Sequence, residues 1–418
     1  MRQTTGGVTA PRGFLAAGVR CGVKEGKQPP PGSQSEADFL SGKRDLALIL
    51  SETECTAAAV YTLNRVKAAP LYVTMEHLED GVCRGIVANS GNANACCPMS
   101  HEHARLMCEY AAVATGLRPA DFAVASTGVI GQTLNIAAIA RGVPVVARRL
   151  TRGGSGEASE AIMTTDTVKK ETAVTVSIGG EEVTIGGIAK GSGMIHPNMG
   201  TMLAFLTTDC AITHEMLEQA LRQVVPRTFN RVTVDGDTST NDMCVVLANG
   251  MAGNPLIEWK DESYTVFAGA LREVCEHLAK SIAADGEGAS RLITCTVRGA
   301  RGEESAERLA KAVVGSSLVK TAMCGADANW GRVLCAMGYS KAPFRPGYVD
   351  ISFQSALGTV PVCQGGSGLD FDEALAKRIL SQDEVVIQIA LHEGEHSATC
   401  WGCDLTCDYV KINGDYRT

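Results

Sequence analysis

Short strand-like runs alternate with helical runs along this chain, and this alternation restricts the possible fold more than any other feature of the sequence. Apolar or alternating runs bounded by turn residues, which are typical of strands, occur at 45–50, 85–88, 122–125 and 173–178. Runs at 384–391 and 407–413 also predict strands. Helical spacing is found at Leu217, Leu221 and Val225, and again at Phe267, Leu271, Val274, Leu278 and Ile282. The pattern predicts an α/β or α+β protein in which helices are layered on sheets.

The size and charge of the chain favour a globular protein that acts on small molecules. Its 418 residues exceed the usual size of a single core, so we expect two lobes or one large two-layer assembly. The formal net charge is −8 and no basic block occurs. This charge argues against nucleic acid or an anionic membrane as the main partner.

The sequence also predicts a cytoplasmic protein. Residues 1–14 (MRQTTGGVTAPRGF) lack the apolar core of about 7–15 residues that a signal peptide needs. No run of about 18 apolar residues predicts a membrane span. The 16 cysteines are scattered through a long chain, so we expect reduced and mostly buried thiols instead of a disulfide scaffold.

An abrupt change of composition occurs near the middle of the chain. Residues 190–209 (KGSGMIHPNMGTMLAFLTTD) begin as a glycine-containing loop and become a wholly apolar run directly after Gly200 and Thr201. One interpretation is a boundary between a loop and a buried strand, at which Thr201 is an ordinary threonine. The other interpretation is that Thr201 is a nucleophile.

The second interpretation requires Thr201 to become an N-terminus. A threonine hydroxyl is a weak nucleophile without a base beside it, and a free α-amine with a pKa of about 7.7–8 can be that base. The hydroxyl of Thr201 would cut the preceding bond by attacking the carbonyl of Gly200, and water would hydrolyse the resulting ester. Gly200 has no Cβ and therefore tolerates the close approach that this attack needs.

Segments that match one known family occur in order along nearly the whole chain. Besides residues 190–209, they are GGVTAPRGFLAAGV (6–19), YTLNRVKAAP (61–70), ANSGNANACC (88–97), ASTGVIG (125–131), IMTTDT (162–167), VTVDGDTSTND (232–242), DGEGAS (285–290), CGADANWGRVL (324–334) and YVKINGDYRT (409–418). Through these segments the chain resembles the ornithine acetyltransferase (glutamate N-acetyltransferase) family. One departure is Gly200, because that family more often has alanine before its nucleophile.

The resemblance implies both a fold and a reaction. The implied fold is a two-lobed, layered α/β sandwich of the N-terminal-nucleophile type. Self-cleavage between Gly200 and Thr201 would give an α chain (1–200) and a β chain (201–418), which stay entwined in an α2β2 heterotetramer. The implied reaction transfers acetyl from N2-acetyl-L-ornithine to L-glutamate through an acetyl-threonine intermediate in arginine biosynthesis. It needs no metal or organic cofactor, although some family members also use acetyl-CoA as a donor.

The resemblance also implies roles for individual residues. Thr201 is the expected nucleophile. Thr127 and Gly128, which the sequence predicts to lie where a strand ends in a turn, are the expected oxyanion hole. The expected substrate-binding residues are Thr164, Lys190, Thr201, Glu287, Asn413 and Thr418. Thr165 remains an alternative to its neighbour Thr164.

Two other classes of enzyme compete with this assignment. A self-processing N-terminal-nucleophile amidase or aminopeptidase would use the same nucleophile with water as the acceptor. A zinc peptidase is suggested by residues 392–396 (HEGEH), but its chemistry needs both imidazoles on one face of a helix. Because this motif lies between two strand-like runs and has Gly394 at its centre, it predicts a hairpin loop and not a metal site.

The acidic residues at 235–242 suggest a calcium-binding loop. The sixth position of that loop is Thr240 instead of glycine, and the twelfth is Val246 instead of glutamate. The segment therefore predicts a turn that supports the active site.

Overall fold

The structure is a computed structural model that describes residues 1–24, 36–196 and 202–415. Its strands are β1 (Arg2–Thr4), β2 (Phe14–Val19), β3 (Leu46–Tyr61), β4 (Val82–Asn92), β5 (Phe122–Val129), β6 (Lys170–Ile178), β7 (Glu181–Lys190), β8 (Leu203–Thr208), β9 (Val232–Thr233), β10 (Met243–Ala248), β11 (Leu292–Ala300), β12 (Asp350–Ser355), β13 (Gly358–Gln364), β14 (Ser367–Gly368), β15 (Glu384–Ala390) and β16 (His396–Cys403). Its helices are α1 (Ala69–His77), α2 (Ser100–Thr115), α3 (Ile136–Arg148), α4 (Ser155–Ile162), α5 (His214–Val224), α6 (Glu262–Ala284), α7 (Glu303–Gly315), α8 (Ser317–Cys324), α9 (Trp330–Gly338), α10 (Glu373–Leu380) and α11 (Cys407–Asp415).

The larger of two sheets mixes strands from both sides of position 200. Among the described residues it has nine strands, in the order β1-β6-β7-β8-β10-β3-β4-β5, with β2 beside β3. Strand β8 lies between β7, to which it is antiparallel, and β10, to which it is parallel. Residues 1–200 and 201–418 therefore do not form separate sheets.

The smaller sheet is built entirely from the later part of the chain. Its order is β14-β13-β12-β15-β11-β16-β9. Helix α7 packs against β11 and β16, while α10 packs against β12 and β13. The buried apolar residues of these helices and strands form one continuous cluster. The predicted layering of helices on sheets is thus confirmed.

Helix α6 connects the two sheets. Its residues Phe267, Leu271, Val274, Leu278 and Ile282 are buried, as their helical spacing predicts. The helix packs against β6 and β7 of the larger sheet and against β11 and β16 of the smaller one, so that one apolar core spans both sheets. None of the described helices, this one included, is long and apolar enough to cross a bilayer.

The prediction of a strand at 407–413 is wrong, because these residues form helix α11. The hydroxyl of Thr406 accepts a hydrogen bond from the N–H of Asp408 at 3.2 Å, and Asp408 pairs with Lys411 one turn later at 2.7 Å. These local polar contacts favour a helix over the strand that alternating side chains suggest.

The predicted hairpin around residues 392–396 is also wrong. Strands β15 and β16 pair with opposite edges of β11, the first parallel and the second antiparallel. The connecting segment is a loop, as predicted, but it crosses over β11 instead of turning back on itself. Consecutive strands are neighbours only about two-thirds of the time, so loop composition alone does not establish which strands pair.

Candidate active site

A cavity lies where the ends of β5 and β7 approach α11 and the segment that follows α6. It brings together six residues that the sequence analysis singled out, namely Thr127, Gly128, Thr164, Lys190, Glu287 and Asn413. Thr165, Gly193, Met194 and Asn241 also line it. The other expected site residues, Gly200, Thr201 and Thr418, lie outside the described residues.

Lys190, the last residue of β7, brings a buried ammonium group to this cavity. Its Nζ donates to Thr164 Oγ1 at 2.9 Å and to Thr127 Oγ1 at 3.3 Å. The contact is with Thr164, although Thr165 lines the same cavity. Burial lowers the pKa of Lys190, whereas the carboxylate of Asp166 raises it. Because both hydrogen-bond partners are neutral hydroxyls, the ammonium group suits an anionic ligand.

A buried ion network lies behind the cavity, and the sequence analysis did not predict it. Lys170 Nζ is 2.8 Å from Asp166 Oδ1 and 2.6 Å from Asp285 Oδ2. The side chains of Lys170 and Asp166 have no exposed surface, and that of Asp285 is 6% exposed. Asp285 also accepts hydrogen bonds from the N–H and the hydroxyl of Thr167. The network therefore joins β6 to the segment after α6.

Asp166 fixes the two segments that carry Thr164 and Lys190. Its Oδ2 accepts the N–H of Thr164 at 3.0 Å, and its Oδ1 accepts the N–H of Gly191 at 2.7 Å. Burial alone would raise the pKa of Asp166, but the ammonium groups of Lys190 and Lys170 outweigh it and lower that pKa to about 2. Asp166 is therefore a carboxylate at neutral pH.

Thr127 and Gly128 lie within strand β5, which continues to Val129, and not in a turn as predicted. Gly128 has a φ of 131°, and a Cβ at this position would be 2.4 Å from the carbonyl carbon of Gly91. The Thr127 hydroxyl accepts a hydrogen bond from Lys190, so its own proton remains for another acceptor. Only glycine fits this backbone beside the hydroxyl.

Ser239, Thr240 and Asn241, within the segment 235–242 that was predicted to support the site, line one side of the cavity. Asn241 Nδ2 donates to the carbonyls of Ser126 at 2.8 Å and Ala93 at 2.6 Å, and so holds the end of β5. Its Oδ1 accepts the hydroxyl of Thr240 at 2.6 Å. The role of Asn241 could not be predicted, because its partners are backbone groups distant in the sequence.

Asp235 holds the segment that leads towards position 200. Its carboxylate accepts the N–H groups of Met194 at 2.7 Å and Ile195 at 2.9 Å. The hydroxyl of Tyr409, on α11, donates to the same carboxylate at 3.3 Å. His196 follows Ile195 in the sequence. Burial lowers its pKa to about 4, so its imidazole is neutral near pH 7.

Glu287 supplies a carboxylate to the cavity. Its N–H donates to the carbonyl of Ser192 at 3.0 Å, and its Oε2 accepts Asn413 Nδ2 at 2.7 Å. A Cβ on Gly193 would lie 2.3 Å from this carboxylate, so glycine makes room for it. The backbone of Glu287 is therefore held by the segment after β7, and its carboxylate is held by α11.

The HEGEH motif takes part in ion pairs. His392 Nε2 is 2.7 Å from Asp350 Oδ2, and Glu393 pairs with Arg301 at 2.7 Å and Arg345 at 3.6 Å. Within the described ranges no three His, Cys, Asp or Glu side chains are grouped so that they could hold a metal ion. The motif lacks the single helix face that zinc-peptidase chemistry requires.

The cysteines are free thiols, and most of them are buried, as predicted. Burial raises the pKa of Cys55 to about 12, and that of Cys210 likewise to about 12. Such thiols are protonated and unreactive near neutral pH.

The cavity has charges of both signs at fixed positions. The ammonium group of Lys190 suits a carboxylate, and the carboxylate of Glu287 suits an ammonium group. Hydroxyl and amide groups lie among them. The fold and the cavity together define a layered α/β protein whose cavity presents fixed charges of both signs.

Comparison with known proteins identifies the family. The sequence model of the ArgJ family matches residues 33–418. The arginine biosynthesis bifunctional protein ArgJ of Symbiobacterium thermophilum is 52% identical over 419 residues, which cover 100% of both chains. The protein of the same name from Bacillus subtilis is 45% identical over 418 residues, which cover 100% of this chain and 98% of the relative. The chain belongs to the ArgJ family, which confirms the family predicted from the sequence.

Two solved structures are also similar to this chain. The crystal structure of the arginine biosynthesis bifunctional protein ArgJ from Bacillus halodurans is 45% identical and covers 51% of this chain and 98% of its own, with a TM-score of 0.48. The ornithine acetyltransferase from Mycobacterium tuberculosis, complexed with ornithine, is 37% identical and covers 47% of this chain and 98% of its own, with a TM-score of 0.40.

Proposed function

We propose that this chain transfers an acetyl group from N2-acetyl-L-ornithine to L-glutamate in arginine biosynthesis. Membership of the ArgJ family supports an acyltransferase. The choice of substrate rests on the cavity, in which Lys190 and Glu287 present opposite charges beside Thr127 and Gly128. Water as the acceptor, as in an amidase, would make no use of these two charges once ornithine has left.

Lys190 binds the α-carboxylate of the substrate in this proposal. Thr164 and Thr127 hold its ammonium group through hydroxyls, and an incoming carboxylate would add a charge-assisted hydrogen bond. Glu287, oriented by Asn413, pairs with a substrate ammonium group. Thr418 is the further substrate contact that the family resemblance implies.

The proposed reaction is a double displacement on Thr201. The free α-amine of Thr201 takes the proton of the hydroxyl, whose oxygen attacks the acetyl carbonyl. Thr127 Oγ–H and Gly128 N–H stabilise the oxyanion. The intermediate collapses by breaking the bond from carbon to nitrogen, and the protonated α-amine gives its proton to the departing ornithine. The α-amine of glutamate then attacks the acetyl-threonine ester, which yields N-acetyl-L-glutamate and restores the hydroxyl.

This mechanism needs self-cleavage between Gly200 and Thr201. The products would be an α chain of residues 1–200 and a β chain of residues 201–418, assembled as a cytoplasmic α2β2 heterotetramer. The position of β8 between β7 and β10 supports the view that the cut chains stay together, because each contributes strands to one sheet.

Acetyl-CoA is the second acetyl donor that we propose. The curated relatives are named bifunctional, and the same acetyl-threonine ester could be formed from a thioester. Formation of N-acetyl-L-glutamate from acetyl-CoA and L-glutamate without acetylornithine would support this second activity. No product under those conditions would restrict the enzyme to acetylornithine.

The central test is to incubate the purified protein with N2-acetyl-L-ornithine, with and without L-glutamate. We expect N-acetyl-L-glutamate and ornithine in equal amounts, and little free acetate. Release of acetate at the same rate in both reactions would instead establish a hydrolase of the amidase class.

A further inference from the structure

Lys190 contacts only neutral partners, although a carboxylate lies close to it. Its Nζ donates to the hydroxyls of Thr164 and Thr127, and it forms no ion pair with any residue in the part of the chain that the structure describes. Asp166 is nevertheless adjacent, since its Oδ1 accepts the N–H of Gly191, the residue that follows Lys190. A buried ammonium group would normally pair with such a neighbour.

Other donors already occupy both oxygens of Asp166. Oδ1 accepts Lys170 Nζ at 2.8 Å and Gly191 N–H at 2.7 Å, while Oδ2 accepts Thr164 N–H at 3.0 Å. Lys170 cannot move away easily, because Asp285 Oδ2 holds the same Nζ at 2.6 Å. Lys170 is therefore fixed between two carboxylates.

We infer that Lys170 keeps Lys190 available for the carboxylate of an amino-acid ligand by occupying Asp166. This inference rests on the proposed function for the identity of the ligand. Lys170 does not line the cavity, so it is a positioning residue and touches no substrate.

Charge balance explains why Lys170 would have this effect. Two lysines and two aspartates make the buried set neutral overall. Without the charge of Lys170, the ammonium group of Lys190 remains as a partner for Asp166. In a site of low dielectric, Asp166 would then draw Lys190 into an ion pair, and the ligand carboxylate would lose its partner.

The test is the binding of L-ornithine, measured by isothermal titration, which needs no turnover. The substitution Lys170→Met removes the charge and keeps a long side chain. We expect it to weaken the binding of L-ornithine by about tenfold or more, since one charge-assisted contact is lost. Binding of 1,4-diaminobutane, which is ornithine without its carboxylate, should be the same in both proteins.

Two further variants separate this role from general damage. The double substitution Asp166→Asn with Lys170→Met removes the competing carboxylate, so we expect it to bind L-ornithine more tightly than Lys170→Met alone. Lys170→Gln also removes the charge but keeps hydrogen-bond donors for Asp166 and Asp285, so we expect the same selective loss of L-ornithine binding. This variant tests the inference even if Lys170→Met does not fold.

Three outcomes would overturn the inference: native affinity in Lys170→Met, an equal loss for 1,4-diaminobutane, or a double variant no better than the single one. Native affinity in Lys170→Gln would also overturn it. Ornithine binding by a protein that shows no acetyl transfer would contradict the proposed function alone. The two failures are therefore distinguishable.

Discussion

Asn413 Nδ2 donates a hydrogen bond of 2.7 Å to Glu287 Oε2, and so connects helix α11 to a carboxylate 126 positions earlier in the chain. This contact is the reason why a residue close to the end of the sequence belongs to the cavity. Together with the hydrogen bond from Tyr409 to Asp235, it holds a C-terminal helix that has no buried side chain.

Substitution of Asn413 by alanine should therefore reduce acetyl transfer. Glu287 loses a donor that orients its carboxylate, and hydrogen bonds to charged groups contribute about 1.5–3 kcal/mol, so kcat/KM should fall by about tenfold or more. Lys411→Ala is the matched control, because Lys411 lies on the same helix and pairs with the exposed Asp408. Equal kcat/KM for Asn413→Ala and the native enzyme would contradict the role of this contact.

Gly128→Ala should destabilise the protein by about 2 kcal/mol or more and abolish most of the activity. The added methyl group would lie 2.4 Å from the backbone of Gly91, at a φ of 131°. Gly131→Ala provides the control, because Gly131 also has a positive φ, of 79°, but has no atom within 4 Å of the added Cβ. Urea unfolding of both variants measures the difference, and equal stabilities would show that β5 can relax away from β4.

Asp166 should contribute a pH-dependent part of the free energy of unfolding. Its pKa in the folded protein is about 2, below its ordinary value of 3.8. The stabilisation is therefore present above about pH 4 and is lost as the pH falls towards 2, and it amounts to about 2 kcal/mol. The free energies of unfolding of the native protein and of Asp166→Asn, measured as a function of pH, should differ most above pH 4 and progressively less below it. A difference that does not change with pH would show that the ionisation of Asp166 is not its cause.

Thr201→Ala should block both proposed steps that use the hydroxyl. Mass spectrometry of the denatured variant should show one uncut chain, whereas the native protein should give two fragments, the second beginning at Thr201. The variant should also lack transferase activity. An active native preparation without a new N-terminus at Thr201 would exclude the free α-amine as the base.

A chelator should leave acetyl transfer unchanged, and so should His392→Ala. His392 and Glu393 are engaged with Asp350, Arg301 and Arg345, and the motif lies in a loop. The measurement is the transfer rate after dialysis against EDTA. Loss of activity that zinc restores would favour the peptidase alternative.

The strands and long helices could be predicted because their side chains repeat regularly. The buried stripe of α6 follows the expected helical spacing, and the wholly apolar run after position 201 forms the buried strand β8. At 407–413 the alternation of side chains predicted a strand, but the contact between Thr406 and Asp408 stabilises a helix instead. The path of the loop at 392–396 depends on which edge of β11 each strand joins, and no local pattern contains that information.

The residues that line the candidate site were predicted from the family resemblance, whereas the buried ion network behind them was not. Thr127, Gly128, Thr164, Lys190, Glu287 and Asn413 meet in one cavity, but each lies in a short segment that would be unremarkable by itself. Lys170 and Asp285 are 115 positions apart, and their pairing depends on how α6 packs against β6. A lysine at the first position of β6, whose sequence is KETAVTVSI, gave no distinctive signal for this pair.

The position of β8 has a consequence for how the processed enzyme could be assembled. A chain that begins at Thr201 would enter the larger sheet two residues later, between a strand of the other chain and one of its own. Once denatured, the two chains would have to find each other again before that sheet could close, so their refolding would be a second-order process that slows on dilution. An uncut Thr201→Ala chain would refold its protomer at a rate independent of concentration. The order of events would thus be fixed: the sheet forms first in one continuous chain, and the cut follows.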